Sequence, residues 1–478
     1  MNALEQLVTN EQIVQQGYPI TMFTMTLNEV RDAIGAKLVG DDTSDSECIV
    51  RGINTDSRTI KQGELFVALK GDKFDAHDYI THAHDRGAAA YLLEREIENV
   101  KPALIVDDTR IAFGQLASAW RSQFNYPVAA VTGSNGKTTV KEMLHSILAT
   151  QGSVLATKGN FNNDIGVPIT LYRMTSQYEH AVIEMGANHK NEISYLTNLV
   201  KPDVAIITNA AAAHLEGFGS LDGVAKAKGE IFQGLSDNGV AILNYDDTYF
   251  SYWASLVNNK KSISFGENRN ADVSFSINNK NNNLTIHFNN NEIFDLKLPL
   301  LGNHNIVNAL AAIAASIALK INFEDIKHGL ESMQPIAGRL ERKEGINNSI
   351  VIDDTYNANP ASLSAAINAI QIFTGQYHVV LGDMGELGSD AVQLHKDAAV
   401  KLKHGSVTFL YTLGVSSNYT HKEFHGDSKH FTTHKNLVDD LVKNIKEGDI
   451  VLVKGSRSMQ MEKIVNSICL NQPGSGEH

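Results

Sequence analysis

The segment Thr132–Thr139 contains the residue types that bind phosphate groups. It reads Thr-Gly-Ser-Asn-Gly-Lys-Thr-Thr and follows the apolar run Val128–Val131, which we expect to be a buried strand. A glycine-rich turn between a strand and a helix can surround phosphate oxygens with backbone N–H groups, and its lysine adds positive charge. The segment therefore predicts a nucleotide-binding P-loop, and a glycine-rich turn that arose by chance is the alternative.

The side chains of this P-loop have different expected roles. Lys137 is expected to approach the β and γ phosphates of ATP, and the Thr138 hydroxyl is expected to help hold Mg²⁺. The loop departs from the usual GxxxxGK(S/T) pattern at its first position, where Val131 replaces glycine. The residues predicted to bind ATP in this loop are Gly133, Ser134, Asn135, Gly136, Lys137, Thr138 and Thr139.

Further candidate side chains follow the P-loop along the chain. Glu184 ends the next apolar run, so its carboxylate would share a sheet edge with the P-loop and could reach Mg²⁺. A solvated glutamate at the end of a strand is the alternative. His214 follows a later apolar run, and a lone histidine is more often structural than a ligand. By spacing alone, Lys226 and Lys228 are ordinary solvated charges of a helix.

The elements that position these residues form an alternating α/β pattern. At roughly 150 residues per domain, a chain of 478 residues predicts three domains. After an N-terminal extension (1–25), we expect a small α/β substrate domain (26–126), a central domain (127–336) and a C-terminal Rossmann-like domain (337–478). The central domain should hold a doubly wound, mostly parallel, P-loop ATPase-like sheet. Between residues 273 and 300, the asparagine-rich turns 278–283 and 289–291 predict a hairpin insertion, and compositional bias is the alternative.

Composition excludes several classes of protein. The formal net charge of −13 argues against a protein that coats nucleic acid. Hydrophobic residues make up 42% and charged residues 20% of the chain, which is typical of a globular protein. The two cysteines show no metal-site or disulfide spacing, and no apolar run is long enough to span a bilayer. We therefore expect a cytoplasmic protein without membrane insertion.

Additional short motifs occur in a fixed order between residues 26 and 462. Individually most are weak, but together they are specific, and with them the chain resembles the Mur ligases, a family of ATP-dependent carboxylate–amine ligases. The motifs are Asp56-Ser-Arg58, the P-loop, Asn160-Phe-Asn-Asn-Asp-Ile-Gly-Val-Pro168, Glu184-Met-Gly-Ala187, His214-Leu-Glu-Gly-Phe-Gly219, Ala227-Lys228, Gly302-Asn-His-Asn305, Gly338-Arg-Leu-Glu341, Asp353-Asp-Thr-Tyr-Asn-Ala-Asn-Pro360 and Lys454-Gly-Ser-Arg457.

The resemblance implies roles for residues whose spacing alone is ambiguous. It implies that Lys228 is carbamylated and acts as a carboxylate-like Mg²⁺ ligand beside Thr138, Glu184 and His214. Lys226 is the competing assignment, although the frame around Lys228 matches the family better. The implied catalytic residues are therefore Lys137, Glu184, His214 and Lys228, with ATP and Mg²⁺ as cofactors.

Substrate contacts also follow from the resemblance. Asn305 should contact adenine, and Arg339 and Asp354 should reach the phosphates and ribose; a domain-seam salt bridge and a turn cap are the respective alternatives. The residues implied to hold the UDP end of the substrate are Ser57, Arg58, Asp75 and His77, for which a surface turn is the alternative. Those implied to position the muramoyl-peptide are Asn160, Asn162, Asn163 and Asp164, for which an asparagine-rich turn is the alternative.

The segment Tyr356–Ser362 resembles the branch of the family that adds D-alanyl-D-alanine. It makes Asn357 and Asn359 candidate dipeptide contacts, with loop-capping amides as the alternative. The implied reaction joins D-alanyl-D-alanine to UDP-N-acetylmuramoyl-tripeptide through an acyl phosphate, by a monomer that binds no nucleic acid. A sister ligase with another amine, a P-loop ATPase that drives a partner, and a nucleotide-regulated binding module are the competing hypotheses.

Overall fold

A computed structural model describes residues 23–40, 47–71, 74–211, 215–257, 259–278 and 283–470. The predicted N-terminal extension up to residue 22, the candidate His214 and the turn residues 279–282 lie outside the described residues. In the described part, no helix has the length and apolar character needed to cross a bilayer.

The first domain is built on a small mixed sheet. The described strands follow the order β2-β7-β6-β5-β4, all parallel except β2, and β1 pairs separately with β3. Helix α3 begins after Asp108, whose carboxylate accepts hydrogen bonds from the first free N–H groups of the helix. The elements are β1 (Thr24–Thr26), α1 (Leu27–Ile34), β2 (Lys37–Val39), β3 (Ile49–Arg51), β4 (Ile53–Asn54), β5 (Leu65–Val67), α2 (Ile80–Asp85), β6 (Ala90–Leu93), β7 (Ala103–Ile105) and α3 (Thr109–Arg121).

The central domain contains the largest sheet among the described residues. Its order is β16-β15-β14-β13-β12-β11-β8-β10-β9, parallel from β9 to β14 and antiparallel at β15 and β16. The elements are β8 (Val128–Thr132), α4 (Lys137–Leu148), β9 (Val154–Ala156), α5 (Gly166–Tyr172), β10 (His180–Glu184), α6 (Glu192–Val200), β11 (Val204–Ile207), α7 (Leu215–Phe218), α8 (Leu221–Gly229), β12 (Val240–Asn244), α9 (Phe250–Leu256), β13 (Lys261–Phe265), β14 (Val273–Ile277), β15 (Leu284–Phe288), β16 (Asn291–Leu296), α10 (Asn303–Ala318) and α11 (Phe323–Glu331).

Both faces of this sheet are covered, which explains its continuous apolar strands. In β8, Val128 and Ala130 belong to one hydrophobic cluster while Ala129 and Val131 belong to another on the opposite face. Helices α4 and α10 pack on the second face, and α5, α6 and α8 contribute to the first. The sheet therefore leaves its carboxyl edge, where the loops emerge, as the place for polar side chains.

The third domain carries a second parallel sheet. Its described strands follow the order β17-β18-β22-β19-β20-β21, and only β17 is antiparallel. The elements are β17 (Glu341–Glu344), β18 (Ile350–Asp354), α12 (Pro360–Ile370), β19 (Tyr377–Gly382), α13 (Ala391–His404), β20 (Phe409–Leu413), α14 (Ser417–Glu423), β21 (Asp427–Phe431), α15 (His434–Asn444), β22 (Ile450–Lys454) and α16 (Glu462–Ile468).

The predicted fold class is confirmed: the chain is α/β, and its central sheet is mostly parallel and flanked by a small α/β domain and a Rossmann-like domain. The predicted hairpin around residues 289–291 is also present. Asn289 and Asn290 both have positive φ, at 49° and 63°, as a tight two-residue turn requires. The strands it joins, β15 and β16, extend the central sheet at its edge.

Candidate active site

The P-loop connects β8 to α4 and requires glycine at two of its positions. Gly133 has φ 147°, and a Cβ atom there would lie 1.9 Å from Thr208 Oγ1. Gly136 has φ 81°, and a Cβ atom there would lie 2.3 Å from Asn308 Oδ1. Any side chain at either position would therefore push the loop away from the segment after β11 or from α10, which support it.

A second loop, after β11, fixes the shape of the P-loop. The Ser134 N–H donates to Asn209 O at 3.0 Å, and the Asn135 N–H donates to Asn209 Oδ1 at 3.1 Å. Thr208 Oγ1 donates in turn to Asn135 O at 2.6 Å. Helix α4 starts immediately afterwards, and the first amides of a helix have no intrahelical acceptor. The geometry thus provides N–H groups and a positive helix end for an anion.

Lys137 lies at this helix start and is only partly exposed. Its Nζ donates to Gly133 O at 2.8 Å, so the side chain folds back over the loop. Burial lowers the pKa of Lys137, and the nearby Arg339 adds to that decrease, while Glu184 and Glu386 oppose it. The loop therefore holds a lysine within electrostatic reach of a second cation and of two carboxylates.

Glu184 meets the P-loop at the sheet edge, where the strand register places it beside Val131. The Thr138 hydroxyl donates to Glu184 Oε2 at 2.9 Å, and Asn162 Nδ2 donates to Glu184 Oε1 at 2.9 Å. Arg339 Nη2, from the start of the third domain, donates to Thr138 Oγ1 at 2.8 Å. The structure thus brings residues from four separate motifs of the sequence into one hydrogen-bonded chain.

The two lysines that compete for the same assignment both lie in α8, but they differ in exposure. Lys226 is exposed, whereas the Lys228 side chain is 2% exposed and its Nζ lies 5.2 Å from the centre of the Phe218 ring. Burial lowers the pKa of Lys228 to about 7. The positive charge of Lys137 adds to this decrease, whereas the negative charges of Glu192 and Glu230 oppose it. Lys228 is therefore the lysine whose environment favours an uncharged amine.

The candidate metal ligands can be compared with the chemistry of Mg²⁺. The described residues include no group of three or more histidine, cysteine, aspartate or glutamate side chains that could hold a metal ion, and His214 is not among them. The Thr138 hydroxyl and the Glu184 carboxylate do lie together. Mg²⁺ prefers such oxygen donors and usually keeps several waters. The residues present thus fit this ion.

Two residues of the third domain bond directly to the P-loop. The Arg339 guanidinium stacks 4.1 Å from the centre of the Tyr356 ring, and its Nε is buried without a hydrogen-bond partner in the described structure. Asn359 Nδ2 donates to Asn135 Oδ1 at 2.7 Å, while its Oδ1 accepts from the Ser362 N–H and caps α12. The candidate dipeptide contact Asn359 therefore lies against the nucleotide loop.

The remaining candidates for nucleotide and dipeptide binding have partners within the protein. Asp354 Oδ2 accepts from Lys454 Nζ at 2.6 Å, and the same Nζ donates to Asn357 O at 2.9 Å. The Asn357 side chain is exposed. Asn305 is buried, with Nδ2 donating to Leu301 O at 2.7 Å.

The four candidates for the UDP end lie in the first domain. Ser57 Oγ is 3.2 Å from His82 Nδ1, and the exposed Arg58 forms an ion pair with Asp56 at 2.7 Å. Asp75 Oδ1 and His77 Nδ1 are 2.5 Å apart, and His77 Nε2 accepts from the Glu94 N–H at 2.9 Å. His77 is therefore held by contacts within the first domain, whereas the Arg58 side chain extends to the surface.

The candidate peptide loop, residues 160–164, lies between the first and central domains. Asn160 is exposed, and Asn162 reaches Glu184 as described above. Asn163 Oδ1 accepts from the Gly166 N–H at 2.8 Å, which supports the start of α5. Asp164 forms a two-point ion pair with Arg110 of α3, in which Nη2 donates to Oδ1 at 2.9 Å and Nε donates to Oδ2.

Sequence reasoning missed several residues that complete this arrangement. Arg110 and Asn209 belong to no motif that stands out by spacing, and only the fold brings them to the peptide loop and the P-loop. Lys454 begins a motif, but its role as the partner of Asp354 follows only from the adjacent positions of β18 and β22. The sequence does contain a signal for Lys454, because this lysine ends an apolar run that predicts a buried strand.

Comparisons with known proteins agree with this geometry. Three family models match: "Mur ligase family, catalytic domain" at residues 49–149, "Mur ligase middle domain" at 131–316 and "Mur ligase, glutamate ligase domain" at 338–457. The UDP-N-acetylmuramoyl-tripeptide--D-alanyl-D-alanine ligase of Escherichia coli is 41% identical over 453 residues, covering 94% of this chain and 99% of that protein. Its counterpart in Bacillus subtilis is 37% identical over 435 residues, covering 88% and 94%.

Solved structures give the same result. The crystal structure of MurF from Acinetobacter baumannii has a TM-score of 0.86 and 35% identity, covering 93% of this chain and 99% of that one. The MurF ligase of Thermotoga maritima in complex with ADP has a TM-score of 0.77 and 26% identity, covering 87% and 96%. By sequence identity, coverage and fold, this chain belongs to the Mur ligase family.

Proposed function

We propose that this chain is an ATP-dependent ligase that joins D-alanyl-D-alanine to the terminal carboxylate of UDP-N-acetylmuramoyl-tripeptide, giving the pentapeptide, ADP and phosphate in peptidoglycan precursor synthesis. The names of its relatives, and the ADP in the Thermotoga maritima structure, support the substrates. The observation that carries the proposal is the series of side-chain hydrogen bonds that links Arg339, Thr138, Glu184 and Asn162. It joins the candidate nucleotide, metal and peptide positions at one sheet edge.

The first step makes the peptide carboxylate reactive. A carboxylate oxygen of the tripeptide attacks the γ-phosphorus of ATP, the bond to the bridging oxygen breaks, and ADP leaves. Negative charge develops on the transferred group, so donors fixed in place beforehand stabilise the transition state. We assign this role to Lys137, to the amides at the start of α4 and to the Arg339 Nε, which has no hydrogen-bond partner among the described residues.

The second step forms the amide. The uncharged amine of the dipeptide attacks the acyl phosphate carbon, and the tetrahedral intermediate expels phosphate and loses a proton. The protein holds the reacting groups together, and no side chain forms a covalent bond to the substrate. We assign the peptide loop Asn160, Asn162, Asn163 and Asp164 to the acceptor, and Asn357 and Asn359 to the dipeptide.

The metal site that we propose consists of Thr138, Glu184, His214 and a carbamate on Lys228. Mg²⁺ bound there would neutralise charge on the phosphates during transfer. The burial of Lys228 near Lys137 supports the carbamate, because carbon dioxide reacts with an uncharged amine and the product is an anion beside a cation. Glu184 accepts a hydrogen bond from Thr138, so two of the proposed oxygen ligands lie together.

The other assignments complete the substrate path. We assign Ser57, Arg58, Asp75 and His77 to the UDP end, because Arg58 is exposed and a guanidinium suits a diphosphate. Asn305 is assigned to adenine, and Asp354 to the ribose. We also propose domain boundaries at residues 126/127 and 336/337, since each main sheet lies within one of the segments they define.

We further propose that the enzyme acts as a monomer in the cytoplasm. The bonds from Arg339 to Thr138 and from Asn359 to Asn135 connect the third domain to the P-loop within the same chain, so the proposed site needs no residue from a second copy. Neither Cys48 nor Cys469 forms a disulfide in the described structure, as is common in a reducing compartment. Light scattering of the purified protein should give a mass near 52.2 kDa, and a mass twice as large would contradict the monomer.

A phosphate-release assay with a panel of amines tests the proposed reaction. With ATP, Mg²⁺ and UDP-N-acetylmuramoyl-tripeptide, D-alanyl-D-alanine should give the fastest phosphate release and a product of the pentapeptide mass. Faster release with a single amino acid would identify a sister ligase instead. Turnover without any acceptor would indicate an ATPase, and no turnover with all substrates present would indicate a binding module.

A further inference from the structure

Tyr356 lies in the loop that carries the two dipeptide candidates, but it has no role in the assignments above. The loop follows β18, and the antiparallel register of β17 and β18 places Glu341 beside Asp353. The segment that enters β17, which contains Arg339, therefore runs beside the start of this loop. The edge of the third sheet thus brings Tyr356 and Arg339 together.

The backbones of the two segments are in contact at Gly338. The Tyr356 N–H donates to Gly338 O at 3.1 Å, and Gly338 has φ 69°. A Cβ atom at Gly338 would lie 3.1 Å from the Tyr356 backbone nitrogen, so the absence of a side chain permits this approach. The Arg339 guanidinium lies over the Tyr356 ring, with its carbon Cζ 4.1 Å from the ring centre. The ring therefore covers one face of the guanidinium.

The loop that carries the ring is held on both sides of Tyr356. Thr355 Oγ1 donates to Asp353 Oδ1 at 2.6 Å, and Asn357 O accepts from Lys454 Nζ at 2.9 Å. Tyr356 lies between these two bonded neighbours, so its backbone position is fixed. The ring thus provides a stable surface for the arginine that stacks on it.

Arg339 is the side chain through which this loop reaches the P-loop. Its Nη2 donates to Thr138 Oγ1 at 2.8 Å. This hydrogen bond fixes one nitrogen of the guanidinium, and the stacked ring fixes its plane. A guanidinium binds phosphate oxygens through parallel N–H bonds, so its plane decides whether they can form. Donors that are oriented before the reaction stabilise a transition state without further ordering.

We propose that Tyr356 is a positioning residue, whose ring holds the Arg339 guanidinium in the orientation that stabilises the transferred phosphoryl group. This inference rests on the proposed function, in which Arg339 acts in the first step. The Tyr356 ring is half-buried against Arg339, whereas the side chain of its neighbour Asn357 is exposed and remains the dipeptide candidate. Loss of the ring therefore slows formation of the acyl phosphate and leaves dipeptide binding unchanged.

Hydroxylamine separates the first step from the second. At a saturating concentration in place of the dipeptide, it attacks the acyl phosphate carbon and releases phosphate, so the hydroxamate that forms measures the first step. Tyr356→Leu should lower the maximal rate of hydroxamate formation about tenfold, the size expected for a partly desolvated cation–π contact. Tyr356→Phe keeps the ring and should recover most of the rate. Tyr356→Met also removes the aromatic face, so the test does not depend on one variant.

The Michaelis constants distinguish positioning from binding. The KM for ATP should stay within about twofold in Tyr356→Leu, because an interaction lost only in the transition state lowers kcat and kcat/KM together. The KM for D-alanyl-D-alanine should not rise. A higher KM for the dipeptide with wild-type hydroxamate formation would make Tyr356 a dipeptide contact and overturn the inference.

A double-variant cycle with Arg339 separates positioning from a general loss of structure. Arg339→Lys keeps the charge but lacks the planar group, so Tyr356→Leu should reduce the residual rate by less than about twofold in that background. Phe373→Leu is the matched control, because Arg342 Cζ lies 5.6 Å from the Phe373 ring in the same domain and the Arg342 side chain is exposed. This control should form hydroxamate at the wild-type rate.

Two further results would contradict the role of Tyr356. They are wild-type hydroxamate formation by Tyr356→Leu, and losses in Tyr356→Leu and Arg339→Lys that add fully in the double variant. If the wild type forms no hydroxamate from UDP-N-acetylmuramoyl-tripeptide, the proposed function fails instead. ATP turnover with the carboxylate that the enzyme does activate then tests Tyr356 by the same comparison of Leu and Phe variants.

Discussion

At the scale of single residues, α8 offers a comparison between two lysines of the same helix. Lys228→Ala should abolish ligation, because it removes the buried amine from which the proposed carbamate forms. Lys226→Ala should keep wild-type activity, because Lys226 is exposed. Steady-state phosphate release with all substrates measures both variants.

Rescue by small acids extends this test to the carbamate itself. Added formate or acetate should restore part of the activity of Lys228→Ala, since a free carboxylate can occupy the cavity and replace the missing oxygen ligands. The same acids should leave the wild type and Lys226→Ala unchanged. Near-wild-type turnover by Lys228→Ala without any added acid would refute the proposed role of Lys228.

A buried histidine in the third domain gives a prediction for pH. His395 is fully buried, with Nδ1 donating to Ala391 O at 2.7 Å and Nε2 accepting from the Met384 N–H at 3.1 Å. Burial lowers its pKa below the ordinary 6.5, against the effects of Ala391 O and Asp383. Below pH 6.5, His395 therefore binds more protons in the unfolded chain than in the folded protein. The burial of neutral His395 makes its full contribution to the free energy of unfolding above that pH, and this contribution is lost as the pH falls through the folded pKa.

Urea unfolding of the wild type and of His395→Gln between pH 8 and pH 5 measures this contribution. One titrating group changes the free energy of unfolding by at most about 1.4 kcal/mol per pH unit. A plot of this free energy against pH should therefore be steeper for the wild type than for His395→Gln, by up to that amount. His404→Gln, at an exposed site of the same helix, should keep the wild-type slope. Parallel slopes for wild type and His395→Gln would contradict the assignment.

At the scale of elements, the strand-to-helix connection at the P-loop restricts which residues fit. Gly133→Ala should raise the KM for ATP at least about tenfold, because the new methyl group would lie 1.9 Å from Thr208 Oγ1 and displace the loop. Gly448→Ala is the control, since Gly448 also has positive φ, 79°, but has no atom within 4 Å of its Cβ position. The control should lose about 1 kcal/mol of stability and keep its KM. Equal KM values in the two variants would contradict the steric argument.

The same element shows why some of the site could be predicted from sequence. Val128–Thr132 is a strand and Lys137 begins a helix, as the apolar run and the glycine turn predict, because both signals are local. Glu184 was predicted at the P-loop because parallel strands end at the same edge. Spacing alone does not distinguish Lys226 from Lys228, and only the resemblance favours Lys228. Their difference in burial depends on what packs against α8, which the sequence of the helix does not specify.

At the scale of the whole molecule, the contacts between domains could not be predicted from local patterns. Arg110 of the first domain pairs with Asp164, and Asn359 of the third domain bonds to Asn135 of the P-loop. Residues 135 and 359 are more than two hundred positions apart, so no periodicity relates them. The resemblance predicted that the third domain contributes to the nucleotide site, but the pairing of individual amides depends on how the two sheets face each other.

The bond between Asn135 and Asn359 gives a prediction about how the domains cooperate. Asn135→Ala and Asn359→Ala should each lower kcat/KM for D-alanyl-D-alanine, and the double variant should be only slightly worse than the poorer single variant. A single hydrogen bond contributes about 0.5–1.5 kcal/mol, so the coupling measured by this cycle should fall in that range. Asn357→Ala combined with Asn135→Ala should instead be additive, because the exposed Asn357 side chain accepts from its neighbour Ala358. If the losses in Asn135→Ala and Asn359→Ala add fully, the amide contact does not persist during turnover, and closure of the third domain onto the P-loop must depend on Arg339 and its bond to Thr138.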